Sequence, residues 1–154
     1  MPQFVLKCLY HSQVLSHLTY CLSIWGLTYP TILQPLFVLQ KRALRIITNS
    51  KFDEHTNPLF KSLGYLKFFD LVKLEIGCFM FKNKNKDSFV RLVHNYNTRN
   101  RNNLLIPNHD LTLFKNCINY QGPQLWNSLS DNLTQARSLL SFKKRYKSQL
   151  TALY

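Results

Sequence analysis

The 154 residues carry 20 Lys and Arg against 7 Asp and Glu, a formal net charge of +13, which excludes a charge-balanced surface and points to a polyanionic partner. An apolar fraction of 45%, with 14% aromatic residues, excludes wholesale disorder, because burying so many Leu, Phe and Tyr side chains offsets the entropy of ordering the chain. Lys7, His11 and His17 interrupt the first apolar stretch, no run reaches the roughly 18 apolar residues of a membrane span, and no secretory signal is legible, so an intracellular place in nucleus or cytoplasm, away from membranes, is expected.

From Gln3 to Trp25 the apolar residues Leu6, Leu9, Tyr10, Val14, Leu18, Cys21 and Trp25 recur at steps of three and four, which predicts one helix stopped by Gly26. Pro30 or Pro35 suits the first turn of a second helix, whose stripe is Leu36, Leu39, Ala43 and Ile46 and whose end is Asn49 and Ser50. On that helix Lys41, Arg42 and Arg45 are neighbours at three- and four-residue spacing, on a face away from the stripe that suits a phosphate backbone. Lys51 to Asn57 reads as a polar turn, Pro58 to Leu63 as a short helix ended by Gly64, and Tyr65 to Phe81 as a longer helix burying Leu71, Leu74, Cys78 and Phe81.

Lys82, Lys84 and Lys86 then fall within five residues without an apolar anchor, which predicts an exposed loop, and Ser88 to Val93 is expected to add one or two helical turns. Between His94 and Asn119 the Asn residues crowd around Arg99 and Arg101, a loop with at most a short strand at either end. Gly122-Pro123 marks a turn, Leu125, Trp126 and Leu129 a helical turn, and Ser138 or Ser141 the cap of a last helix with Phe142, Tyr146, Leu150 and Leu153 on its apolar side. That helix bears Lys143, Lys144, Arg145 and Lys147. Met1 to Gly77 holds 8 basic and 4 acidic residues and Cys78 to Tyr154 holds 12 and 3, so the second half is the stronger electrostatic grip. The whole is a mainly α chain, in segments 1–50, 51–93, 94–121 and 122–154.

The usual chemistries find little support. Cys8, Cys21, Cys78 and Cys117 are scattered, without a C-x-x-C pair or a His at ligand spacing, so free thiols are expected in place of zinc ligands or disulfides. His11, His17, His55, His94 and His109 form no recognisable motif with a Ser or Cys nucleophile. Trp25 and Trp126 could stack on bases, but their places on apolar stripes favour core packing.

In order along the chain stand His17-Leu18-Thr19-Tyr20-Cys21, Ile24-Trp25-Gly26, Leu39-Gln40-Lys41-Arg42-Ala43-Leu44-Arg45-Ile46-Ile47, His55-Thr56-Asn57-Pro58-Leu59-Phe60, Tyr96-Asn97-Thr98-Arg99, Gly122-Pro123-Gln124-Leu125-Trp126-Asn127 and Phe142-Lys143-Lys144. This series resembles the C-terminal region, thumb and downstream, of reverse transcriptases from non-LTR (LINE-like, jockey-like) retrotransposons, and the likeness spans most of the chain. The resemblance implies a thumb-like helical hairpin over 1–50, a helical continuation over 51–93, an Asn/Arg-rich loop over 94–121 and a basic helical segment over 122–154. It also implies RNA and DNA (template-primer) as partners, beside the palm domain of the parent polymerase, and Lys41, Arg42 and Arg45 facing nucleic acid.

No catalytic residue follows. The family's two-metal chemistry requires clustered carboxylates, which it presents in a Tyr/Phe-x-Asp-Asp turn; no adjacent Asp pair occurs here, and Asp53-Glu54 stands in a polar turn without a third acid nearby. Mg2+ would belong to the palm, so no cofactor and no enzymatic activity are expected of these residues alone. The expected role is largely sequence-independent binding through Lys41, Arg42, Arg45, Lys82, Lys84, Lys86, Arg99, Arg101, Lys143, Lys144, Arg145 and Lys147; the alternative is a domesticated or truncated module that docks a protein through its apolar stripes.

Overall fold

The computed structural model describes residues 1–83, 103–108 and 110–154; Lys84 to Asn102 and His109 lie outside that set. The chain is mainly helical, with α1 (Gln3–Leu9), α2 (Ser16–Thr19), α3 (Leu22–Trp25), α4 (Pro30–Thr48), α5 (Thr56–Leu63), α6 (Phe68–Asn83), α7 (Ile118–Ser128), α8 (Asp131–Thr134) and α9 (Leu139–Thr151). A π-helical turn, Tyr10–Leu15, joins α1 to α2, a 3-10 turn, Thr112–Asn116, precedes α7, and no strand forms among the described residues. Packing divides the chain into two units, Met1–Val72 with Lys147–Tyr154, and Lys73–Tyr146.

In the first unit the helix expected from Gln3 to Trp25 breaks early, at Tyr20–Cys21 and not at Gly26. Tyr20 is extended at ψ 120 and Cys21 adopts the left-handed conformation at φ 50, which costs an L residue about 1–2 kcal/mol. The Trp25 indole N–H donates to the Tyr20 carbonyl at 2.7 Å and braces the bend. Because the π turn is wider than an α turn, the inward side runs by steps of four through Leu6, Tyr10, Val14 and Leu18, and Leu9 is left exposed. Gly26 is still required: a Cβ there would lie 2.5 Å from the Leu22 carbonyl oxygen and 2.8 Å from Leu22 Cδ1.

Helix α4 packs against α1 and α5. Pro30 stands at its start and Asn49 ends it at φ 52, as expected of a first-turn proline and a residue tolerant of the left-handed region; Pro35 lies inside it. Of the predicted stripe, Ala43 packs against the core and Leu36 is half-buried, but the fully buried residues are Leu33, Gln40, Leu44 and Ile47. Leu39 and Ile46 are 56% and 66% exposed. Two adjacent faces of this helix are apolar enough to be core, and the inward one contains a glutamine, which spacing alone assigns to solvent. Leu44 and Ile47 join Tyr10 and Phe60 in the core, with Leu6, Val14, Phe37, Leu63 and Tyr65 around them; each fully buried aliphatic or aromatic side chain is worth roughly 1.5–3 kcal/mol. Helix α5 ends, as predicted, at Gly64 with φ 67.

Helix α6 buries Leu71, Leu74 and Cys78 as expected, but also Val72, Ile76 and Met80, so it is enclosed nearly all round. In the second unit Gly77 lets rings lie over its backbone, for a Cβ would meet Tyr146 Cε1 at 3.1 Å and Phe142 Cζ at 3.2 Å. Phe142 stacks on Phe81 (centroids 5.1 Å apart) and on Trp126 (6.0 Å).

The turn predicted at Gly122-Pro123 is absent: both residues are buried inside α7. Gly122 is there because a Cβ would fall 2.6 Å from Met80 Sδ, and helical packing overrides the turn preference of the pair. Asn127 Nδ2 donates to the Leu104 carbonyl and its Oδ1 accepts from the Leu104 N–H, both at 2.9 Å, so one side chain supplies the pairing a strand would give. Ser138 Oγ accepts from the Ser141 N–H and caps α9. Phe142, Tyr146 and Leu150 are buried, whereas Leu153, beyond the helix, is 76% exposed.

Candidate nucleic-acid interface

The three cations of α4 do not present themselves as one set. Lys41 Nζ sits 4.1 Å from the centroid of the Phe37 ring on its own helix. Arg45 turns to the segment before α5: Nε and Nη2 donate to the Glu54 carbonyl at 3.1 and 2.9 Å, and the guanidinium lies 5.9 Å from the Phe52 ring. A planar fork on one oxygen, backed by a ring, is a structural clasp that Lys could not reproduce. Arg42 is exposed, on the same face as Leu39 and Ile46.

Helix α9 is different. Lys143, Lys144, Arg145 and Lys147 are all exposed. Arg145 Nη1 donates to the Asn132 carbonyl at 3.1 Å, and Lys143 Nζ lies 3.7 Å from the Glu75 carboxylate, with the lysine side chain half exposed. Such a surface pair contributes little, about 0–1 kcal/mol, and releases its lysine readily to a stronger anion. Lys147 is four residues from Lys143 and three from Lys144, so the three amines share one side of the helix. On α6 Lys82 is exposed as well.

Lys82 and Lys143 both bear electrostatically on Cys78. Burial, with the Glu75 carboxylate beside it, pushes this thiol up to about 11, while Lys143 and Lys82 pull the other way. Lys84, Lys86, Arg99 and Arg101 lie outside the described residues.

Other chemistry is sparse. Among the described residues no group of three or more His, Cys, Asp or Glu is placed to hold a metal ion, and no helix is long and apolar enough to cross a membrane. The four cysteines are unpaired, Cys8 and Cys21 exposed, Cys117 half-buried and Cys78 buried. Trp25 stacks on Phe68 at 5.7 Å and Trp126 is buried, so both indoles serve packing.

Sequence reasoning missed three polar residues that organise these surfaces. Gln40, 1% exposed, donates through Nε2 to Tyr10 Oη and to the Leu66 carbonyl, both at 3.0 Å. Asn127 clamps Leu104, as described above. Tyr154 Oη donates to Asp70 Oδ2 at 2.8 Å and accepts from the Lys67 N–H at 2.9 Å. For the first two a signal existed: each falls in a quoted segment, Gln40 seven residues after Leu33 and four before Leu44. Tyr154 gave none. Comparison with protein-family models, with curated proteins and with solved structures finds no match to this chain.

Proposed function

We propose that this chain is the nucleic-acid-holding part of a retrotransposon RNA-directed DNA polymerase, a part that binds template-primer without contributing catalytic carboxylates. The observation that carries the proposal is α9: three lysines on one side of a helix, in a chain of net charge +13, with one weak carboxylate contact between them. The ordered series of family-like segments supports the polymerase origin. Binding of this kind neutralises phosphates, releases counterions and does not read bases.

Lys144 and Lys147 carry the grip, Lys143 joins it by leaving Glu75, and Lys82 extends it. On α4, Arg45 acts chiefly in holding the helix to the segment before α5, and Lys41 is engaged over the Phe37 ring of its own helix. The test is a salt titration of duplex affinity for the intact chain and for Lys143→Gln/Lys144→Gln/Lys147→Gln. The triple variant is expected to bind more weakly to every sequence and to lower the salt slope by up to about three units. Equal affinity and equal slope would refute the assignment to α9. A second role, protein docking, has its own observation in the exposed apolar face of α4.

A further inference from the structure

Helix α4 carries a second apolar stripe, about a third of a turn round from the one it buries. Ile32, Leu39 and Ile46 are 62%, 56% and 66% exposed, and Pro35 and Arg42, also exposed, fall between them. Positions 32, 35, 39, 42 and 46 alternate steps of three and four, the spacing by which one helix presents a straight seam to another. At a rise of 1.5 Å per residue the seam is about 21 Å long. It is also narrow, a strict two-in-seven row, which suits a partner helix better than the broad apolar face needed to lie in a lipid surface.

Charge decides what sits there. Helix α4 contains Lys41, Arg42 and Arg45 and no Asp or Glu. Arg42 occupies a seam position itself, so whatever covers Leu39 and Ile46 must desolvate or pair its guanidinium. A second copy of this chain would bring three more cations and no acid from its own α4, leaving Arg42 buried without a counter-charge, which is strongly unfavourable. A phosphate backbone would pair Arg42 but leave the Ile and Leu side chains against charged oxygens.

We infer that the exposed seam of α4 docks an acidic amphipathic helix of another polypeptide, with Leu or Ile side chains against Ile32, Leu39 and Ile46 and a carboxylate opposite Arg42. The docking uses residues of α4 and none of the α9 lysines, so its failure and the failure of nucleic-acid binding are distinguishable. Because the seam residues are exposed, replacing them leaves the core of α4 intact.

The probe is a fluorescent 21-residue helical peptide with Leu at a three-four repeat and Glu at the position facing Arg42, read by anisotropy against the full chain. A second peptide has Lys in place of that Glu, and vesicles of mixed phosphatidylserine and phosphatidylcholine test the lipid alternative. The Glu peptide is expected to bind, and Leu39→Gln to weaken it by roughly tenfold or more. Arg42→Glu is expected to reverse the preference, so that the Lys peptide binds the better. Equal binding of both peptides, binding indifferent to Leu39→Gln, or Leu39-dependent binding to vesicles but to neither peptide would each overturn the inference.

Discussion

Replacing Gln40 tests how the first unit is held together. Its amide is buried, Nε2 satisfies Tyr10 Oη and the Leu66 carbonyl, and Oε1 has no hydrogen-bond partner. Gln40→Ala removes both donors and leaves a cavity: a carbonyl left unsatisfied costs about 1–3 kcal/mol and the lost core volume about 2 kcal/mol or more. Relief of the unpartnered oxygen returns roughly 1 kcal/mol, for a net loss of about 2–4 kcal/mol. Gln40→Met also leaves the Leu66 carbonyl unsatisfied but keeps the volume and deletes that oxygen, so its loss is only about 0–2 kcal/mol. Gln40→Glu is the most damaging at neutral pH, because an ionised carboxylate cannot donate to the Leu66 carbonyl and is costly to bury. Its folded-state pKa is raised, so stability returns as the pH falls. Urea unfolding followed by far-UV circular dichroism gives the three values. A Met variant as unstable as the Ala variant, or a Glu variant equal to the parent at pH 7, would refute the reasoning.

Arg45→Lys is expected to cost on the order of 1 kcal/mol and, more specifically, to speed amide exchange in Lys51 to His55, since one ammonium cannot replace the two bonds to the Glu54 carbonyl. Tyr154→Phe removes the donor to Asp70 and the acceptor for the Lys67 N–H, a loss of about 1–3 kcal/mol visible as a lower Tm by calorimetry. Alkali should destabilise the fold. The Cys78 thiol is held by burial above its ordinary 9.0, at about 11, and burial likewise raises Tyr10 and Tyr154 above 10.0. The native state then keeps protons the unfolded chain has lost, so stability is complete below about pH 9 and declines as the pH rises through 11; Cys78→Ala should flatten the first part of that decline in a Tm series.

The helical class, the left-handed ends at Asn49 and Gly64, the first-turn Pro30 and the capped, lysine-rich α9 were all legible from periodicity and end signals, because those are local properties of the chain. Which face of α4 turns inward was not. The two stripes are offset by a fraction of a turn, and the choice falls to a glutamine that finds partners only in the folded unit. Gly122-Pro123 misled for the same reason: a dipeptide that favours turns is enclosed in α7 where Met80 leaves no room for a Cβ. Among the cations, spacing put Lys41, Arg42 and Arg45 on neighbouring positions of one helix but could not see Phe37 or the Glu54 carbonyl, which engage two of the three. The π turn at Tyr10–Leu15 likewise shifts a stripe that a uniform 3.6-residue period draws through Leu9.

The most direct measurement is the affinity of the intact chain for a short nucleic-acid duplex between about 50 and 200 mM salt, the range over which counterion release acts strongly. Tight binding at the low end, falling linearly in log–log form and indifferent to base sequence, is the expected result. A chain that binds neither DNA nor RNA duplexes at low ionic strength would contradict the proposal that its uncompensated lysines neutralise phosphates.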